Sequence, residues 1–297
     1  MFEFLSHFFQ NKSPQSLVNQ GKFLGTFLYR LFPYRKKVIT QNIELLKHSF
    51  PDDHINTEQI VRLNYQHMAT LFLEGLVIPG LTEKELKNYI TFEDGSELDR
   101  QLKAEKSAVI LLGHIGNWEF LASGIGALLG EPVYFVTKKL TSKSTNRFMH
   151  KMRESFQNRM VPMEYSRDVL GRLVSEGCKI GMAGDQSAHV ESYWDKFLGV
   201  PVPIFLGAAS FALKSNSPLY LLVPIRNEDG TFTIYGEKIK SDDLDPTKKE
   251  SLYTLTTRHT RALENYIRRF PDQYYWIHKR WKHAGKAENY YPKYHSN

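Results

Sequence analysis

Ser107-Ala108-Val109-Ile110-Leu111-Leu112-Gly113-His114-Ile115-Gly116-Asn117-Trp118-Glu119 is the stretch that decides the fold of this chain. Its first six residues form an apolar, partly β-branched run closed by glycine, the pattern of a buried strand. Residues 120–129 then repeat apolar side chains at helical spacing. This reading places His114 at the carboxyl end of a strand and Glu119 about one turn into the next helix. In open α/β sheets that edge is where ligands bind. A carboxylate beside an imidazole fixes its tautomer and stabilises the imidazolium, so the pair is a candidate general base with its orienting group. A histidine that only caps a strand–helix turn has the same local sequence. The surrounding chain must separate the two.

Outward from that stretch, the first hundred residues read as helical. Residues 38–50 are periodic and close at Pro51, and Thr57–Val77 is a long amphipathic pattern capped by Asn56 and ended by Pro79-Gly80. Thr82-Glu83-Lys84-Glu85 has the form of a capping box and opens another helix. From about Ile90 strands and helices alternate. Strands are expected at 107–112, 133–136, 178–183, 219–225 and 231–235. Helices are expected at 120–129, 142–158, 169–175, 205–214 and 252–269. The layout is α/β, a central and mostly parallel sheet flanked by helices with a helical amino-terminal extension. The expected division is residues 1–89 for the extension and 90–297 for one integrated core.

The chain has 297 residues, 41% hydrophobic and 24% charged, an ordinary globular balance. Its formal charge of +7 favours acidic partners: phosphates, anionic head groups or an acidic carrier protein. No zinc-finger or RNP signature points to nucleic acid. The single Cys178 excludes an intrachain disulfide framework and a Cys-rich zinc site. The amino terminus lacks the basic start and small-residue cleavage site of a signal peptide. Nothing reaches the ~18 to 20 uninterrupted apolar residues needed to span a bilayer. Phe23, Leu24, Phe27, Leu28, Leu31 and Phe32 nonetheless recur at helical spacing before Tyr34-Arg35-Lys36-Lys37. That segment lies in a membrane interface or packs its stripe on the core.

Four further segments carry chemistry. Lys138, Lys139, Lys143, Arg147, Lys151, Arg153 and Arg159 crowd one strand–helix unit with positive charge. A solvated helix face is the plain account, and a phosphate contact through Arg153 the sharper one. Asp185-Gln186 follows a predicted strand and reaches the same sheet edge as His114 if the two strands are parallel neighbours. Residues 194–205 form an apolar, Pro-rich loop that covers a ligand groove or packs on the core. The tail Pro271 to His283 interleaves Trp and Tyr with Lys, Arg and His, suited to a lipid interface or single-stranded nucleic acid. A zinc pair from His278 and His283 has no third ligand at suitable spacing.

Taken in order, these segments resemble the lipid A biosynthesis acyltransferase family, the bacterial late-acyltransferase branch of the glycerolipid acyltransferase superfamily. The resemblance runs from about Arg35 to Lys282. It rests on Asn42-Ile43 followed by Phe50-Pro51, Gly113-His114…Asn117-Trp118-Glu119, the Arg153 helix, Asp185-Gln186, Phe197-Leu198-Gly199-Val200-Pro201, Arg226, and Trp276…His278-Lys279-Arg280-Trp281-Lys282. It implies transfer of a fatty acyl chain from an acyl carrier protein thioester to a hydroxyl of a lipid A precursor or related glycolipid. His114 would be the general base and Glu119 its orienting, charge-balancing carboxylate. Asn117, Arg147, Arg153, Asp185, Gln186 and Arg226 would contact substrate, with Arg147 or Arg153 answering the oxyanion. No metal or dissociable cofactor is implied. The implied partners are acyl carrier protein, a lipid acceptor and the anionic cytoplasmic face of the bacterial inner membrane, held peripherally through the 23–32 segment because that stretch is short and broken by polar residues. The alternatives are an O-acyltransferase for an aminolipid or phospholipid, a hydrolase using the same His–Glu pair, and a non-catalytic binder of anionic lipid.

Overall fold

The computed structural model describes residues 2–93 and 97–295. In chain order come α1 (Phe2–Phe9), α2 (Pro14–Leu31), α3 (Lys36–Ser49), α4 (Thr57–Val77), α5 (Glu83–Tyr89), β1 (Ile90–Phe92), α6 (Glu97–Ala104) and β2 (Ala108–Leu112). Next are α7 (Trp118–Leu129), β3 (Val133–Thr137), α8 (Lys143–Arg153), β4 (Arg159–Pro162), α9 (Ser166–Ser175) and β5 (Lys179–Ala183). The hairpin β6 (Tyr193–Phe197) and β7 (Val200–Ile204) precedes α10 (Gly207–Ser215), β8 (Leu219–Arg226), β9 (Phe232–Ile239) and α11 (Lys249–Arg269).

Among the described residues the main sheet has seven strands in the order β1-β9-β8-β2-β5-β3-β4. Every pairing is parallel except β8 with β9, so the fold is the expected α/β layout with an antiparallel excursion at one edge. Every residue of β2, Ala-Val-Ile-Leu-Leu, is buried, because helices cover both sheet faces. One apolar core joins Ile39, Ile43 and Leu46 of α3 and Val61 of α4 to Val109 and Leu111 of β2. A second core, on the other face, joins Ile110 and Leu112 to Phe120 and Ile125 of α7.

Three expectations need correction. The helix expected at 142–158 stops at Arg153, and Arg159–Pro162 leaves it as the edge strand β4. The Pro-rich segment 194–205 is mostly a hairpin, whose turn residues Leu198 and Gly199 have φ of 48° and 77°. Its two-stranded ribbon has both outer edges free of ladder partners, so Pro201 and Pro203 can sit in β7. Trp194, Phe197, Leu198 and Val202 are buried, so this segment packs as core and is no groove cover. The aromatic tail likewise goes inside: Tyr274, Trp276, Arg280 and Trp281 are all buried, which rules them out as a lipid or nucleic-acid surface.

Helix α2 joins the two readings of its segment. Leu17, Val18, Gly21 and Gly25 face α4, and a Cβ on Gly25 would lie 2.3 Å from the Gln66 Cα. The opposite face leaves Phe23, Phe27, Leu31 and Phe32 exposed, and α1 exposes Phe4 and Phe8. No helix among the described residues is long and apolar enough to cross a membrane.

Candidate active site

β2 and β5 are parallel neighbours with Leu112 opposite Ala183, so the turns that follow them lie side by side at the carboxyl edge. That register brings Asp185 to His114. Asp185 Oδ1 lies 2.6 Å from His114 Nδ1, and Oδ2 accepts the His114 backbone N–H at 2.7 Å. One carboxylate therefore fixes both the ring and the peptide that carries it. The ring packs in a triangle with Trp118 and Tyr275, whose centroids lie 5.1 Å and 5.9 Å from it and 5.4 Å from each other.

The loop holding His114 is pinned along its length. Gly116 has φ of +61°, and a Cβ there would lie 1.7 Å from the Pro224 carbonyl oxygen, so only glycine lets the two backbones approach. The Gly116 N–H donates to the Gln273 carbonyl and the Asn117 N–H to the Pro224 carbonyl. Tyr275 donates its N–H back to the His114 carbonyl at 2.9 Å, and Ile115 forms a bridge with Tyr274. The tail read from sequence as a surface is thus the floor under His114.

Glu119 lies in the first turn of α7 and faces α8. Arg153 takes both of its oxygens, Nε to Oε2 at 2.8 Å and Nη2 to Oε1 at 2.6 Å, and Trp118 Nε1 adds a bond at 3.2 Å. Such a two-point fork fixes direction as well as charge. The expectation that Glu119 orients the His114 ring is corrected here: Asp185 does so, because it sits on the adjacent strand end while Glu119 points sideways to Arg153. Glu119 still acts on the ring through space. Burial disfavours a charge on His114, but Asp185, by charge and hydrogen bond, and then Glu119 outweigh it and hold its pKa above the ordinary value. Burial likewise opposes ionisation of Asp185, and the His114 side chain and backbone overcome it, keeping that carboxyl below its ordinary range.

Gln186 places its amide nitrogen 3.1 Å from His114 Nε2, on the side away from Asp185. With the Nδ1 proton given to Asp185, Nε2 carries the lone pair. His114, Trp118, Glu119 and Arg153 line a cavity of about 70 Å³ whose inner wall is Leu112, Ala122 and Phe135. Beyond Gln186, the Ser187 N–H donates to His278 Nε2 at 3.1 Å, and burial brings the His278 pKa down to about 4, so that ring is neutral. His278 thus spends its Nε2 on the chain; among the described residues no group of three His, Cys, Asp or Glu side chains could hold a metal ion.

Of the sequence candidates, His114, Glu119, Arg153, Asp185 and Gln186 come together, and three others do not. Asn117 is fully buried, capping α7 through the Phe120 N–H and donating to Glu74 Oε2 at 2.7 Å. Arg226 grips Glu74 with bonds of 2.6 Å and 2.5 Å and reaches His67 Nδ1 at 2.6 Å, also away from the cavity. Both are spent on holding α4 against the His114 loop. Arg147 is exposed on the outer side of α8 and lines no part of the cavity. Sequence reasoning missed Trp118 and Tyr275 as the aromatic neighbours of the imidazole. Trp118 lay inside the opening motif, whereas nothing local marks Tyr275, which arrives from 161 residues downstream of His114.

A family model described as bacterial lipid A biosynthesis acyltransferase matches residues 11–283, nearly the whole chain. No curated protein matches the sequence at a significant level.

Proposed function

We propose, since the chain belongs to the bacterial lipid A biosynthesis acyltransferase family, that it moves a fatty acyl chain from an acyl carrier protein thioester to a hydroxyl of a lipid A precursor or related glycolipid. Acyl transfer to a lipid-A-like acceptor follows from membership itself. The donor and the residue roles are our reading of the site.

The observation that carries the mechanism is the short His114–Asp185 bond, with Nε2 turned away from Asp185 and the Glu119–Arg153 pair beside it in the cavity. The acceptor hydroxyl takes the place of the Gln186 amide at His114 Nε2, which accepts its proton as the oxygen bonds to the thioester carbonyl carbon. The carbonyl pair moves to oxygen, giving a tetrahedral oxyanion that needs fixed donors. Arg153 supplies charge there: Glu119 occupies its Nε and Nη2, and its Nη1 makes no described hydrogen bond. Collapse breaks the C–S bond, and the imidazolium returns its proton to the leaving thiolate. No enzyme-bound acyl group is required. Asp185 replaces Glu119 as the orienting carboxylate, and Glu119 becomes the group that aims Arg153.

The exposed aromatic faces of α1 and α2, flanked by Lys12, Lys22, Arg30 and Lys36, support peripheral attachment to the anionic cytoplasmic face of the inner membrane. Purified enzyme given acyl carrier thioester and lipid acceptor tests the chemistry. His114→Asn should reduce turnover at least about a hundredfold while the protein stays folded. Undiminished transfer by that variant would refute the mechanism. Thioester consumption that is independent of acceptor would assign the site to hydrolysis instead.

A further inference from the structure

The surface beside the cavity mouth carries a patch of charge that the reaction cycle above leaves unused. Thr137, the last residue of β3, lines the cavity, and Lys138 and Lys139 follow it onto the surface. Helix α8 then presents Lys143, Arg147 and Lys151, spaced four apart and therefore on one helix face over about 12 Å. All five cations are exposed. Elsewhere several surface cations pair with nearby carboxylates, as Lys87 with Glu83, Lys103 with Asp99, Lys238 with Glu105 and Arg258 with Asp243. The five on the β3–α8 unit have no acidic partner among the described residues. The only acid between residues 137 and 154 is Glu154, which accepts the Met160 backbone N–H.

The inner face of α8 is committed elsewhere. Phe148, Met149 and Met152 pack into the apolar cores, and Arg153 enters the cavity. One helix thus joins the reacting site to an outward basic stripe. Leu140 is the only large apolar side chain exposed on this unit, whereas the exposed aromatics cluster on α1 and α2. A face with charge and almost no apolar side chains to insert suits a complementary protein surface better than a bilayer, which rewards the aromatic face.

We propose that Lys138, Lys139, Lys143, Arg147 and Lys151 form the docking surface for an acidic protein that carries the acyl thioester. This rests on the reading of the donor as a carrier-borne thioester. Docked on the stripe, the carrier brings its thioester over the Thr137 lip toward His114, and the acyl chain meets the Phe135 and Ala122 wall. Opposite charge steers encounter and sets register, so the stripe acts on donor capture rather than on the acyl-transfer step.

The test uses the full chain with Lys143→Glu/Lys151→Glu and two donors with the same acyl group, one on an acidic carrier protein and one on uncharged pantetheine. The expected result is a KM for the carrier-borne donor raised about tenfold, with its salt dependence flattened, and kcat/KM for the pantetheine thioester within about twofold of the parent. An unchanged carrier KM overturns the proposal, and so does an equal loss with both donors. Lost binding to phosphatidylglycerol vesicles with an unchanged carrier KM would assign the stripe to lipid. If the parent enzyme turns over neither donor, the reading of the reaction fails by itself. Fluorescence anisotropy of the labelled acyl carrier against parent and variant then still decides the docking surface.

Discussion

At His114 two carboxylates act from different directions. Asp185 touches the ring and Glu119 does not, so their substitutions separate in the pH profile. Catalysis as proposed needs the neutral imidazole. Asp185 and, more weakly, Glu119 hold its pKa above 6.5 in the folded protein. Asp185→Asn removes the largest stabiliser of the imidazolium, so the acid limb of kcat/KM should move to lower pH. The same change frees the ring to take the wrong tautomer, and kcat should fall by about two to four orders of magnitude. A profile whose acid limb stays in place would contradict the assignment. Arg153→Lys keeps a charge but loses the fork, so transfer should drop with KM for the acceptor little changed, measured by initial rates over both substrates.

α2 lies against α4 through Gly21 and Gly25, where backbones meet more closely than any side chain permits. Gly25→Val puts methyl groups into the Gln66 backbone and should cost about 1 to 3 kcal/mol, read as a lower midpoint in urea unfolding. Phe23→Asp/Phe27→Asp touches the opposite, exposed face. It should leave that midpoint within about 0.5 kcal/mol while abolishing binding to anionic vesicles. Retained vesicle binding would remove α2 from the membrane surface. Helix α4 also carries Glu74, whose ion pair with Arg226 and bond to Asn117 tie it to the His114 loop. Because that pair is buried, losing one partner leaves the other charge uncompensated. Period and caps made α2, α4 and α5 legible: Thr57–Val77 begins and ends where its cap and proline place it, and the Thr82–Glu85 box is present. The β6–β7 hairpin was not legible, because two prolines in five residues argue against a strand unless its edge is free.

Across the whole molecule, buried neutral histidines make stability fall in acid. Burial brings His259 down to about 4, and burial followed by the Arg226 charge puts His67 well below 6.5. Each is depressed in the folded state, so its contribution is complete above the unfolded value and is lost as pH falls from about 6.5 toward 4. For His259 the full loss is about 3 kcal/mol, and His259→Gln should flatten the slope of unfolding free energy over that range. An unaltered slope would show the ring is not held neutral. Sequence by itself determined the alternation of strands and helices, the glycine-closed strand before His114, the placement of Asp185 at a strand end and the family. Those depend on local period, caps and side-chain chemistry. Only the tertiary structure decided that β2 and β5 are neighbours with Leu112 against Ala183, and hence which carboxylate meets the imidazole. It also decided that Arg226 and Asn117 serve α4, and that the aromatic tail is a floor rather than a surface. Glu119 was five residues from His114 and Asp185 seventy-one, yet strand pairing, which acts across the sheet, brought the distant one into contact.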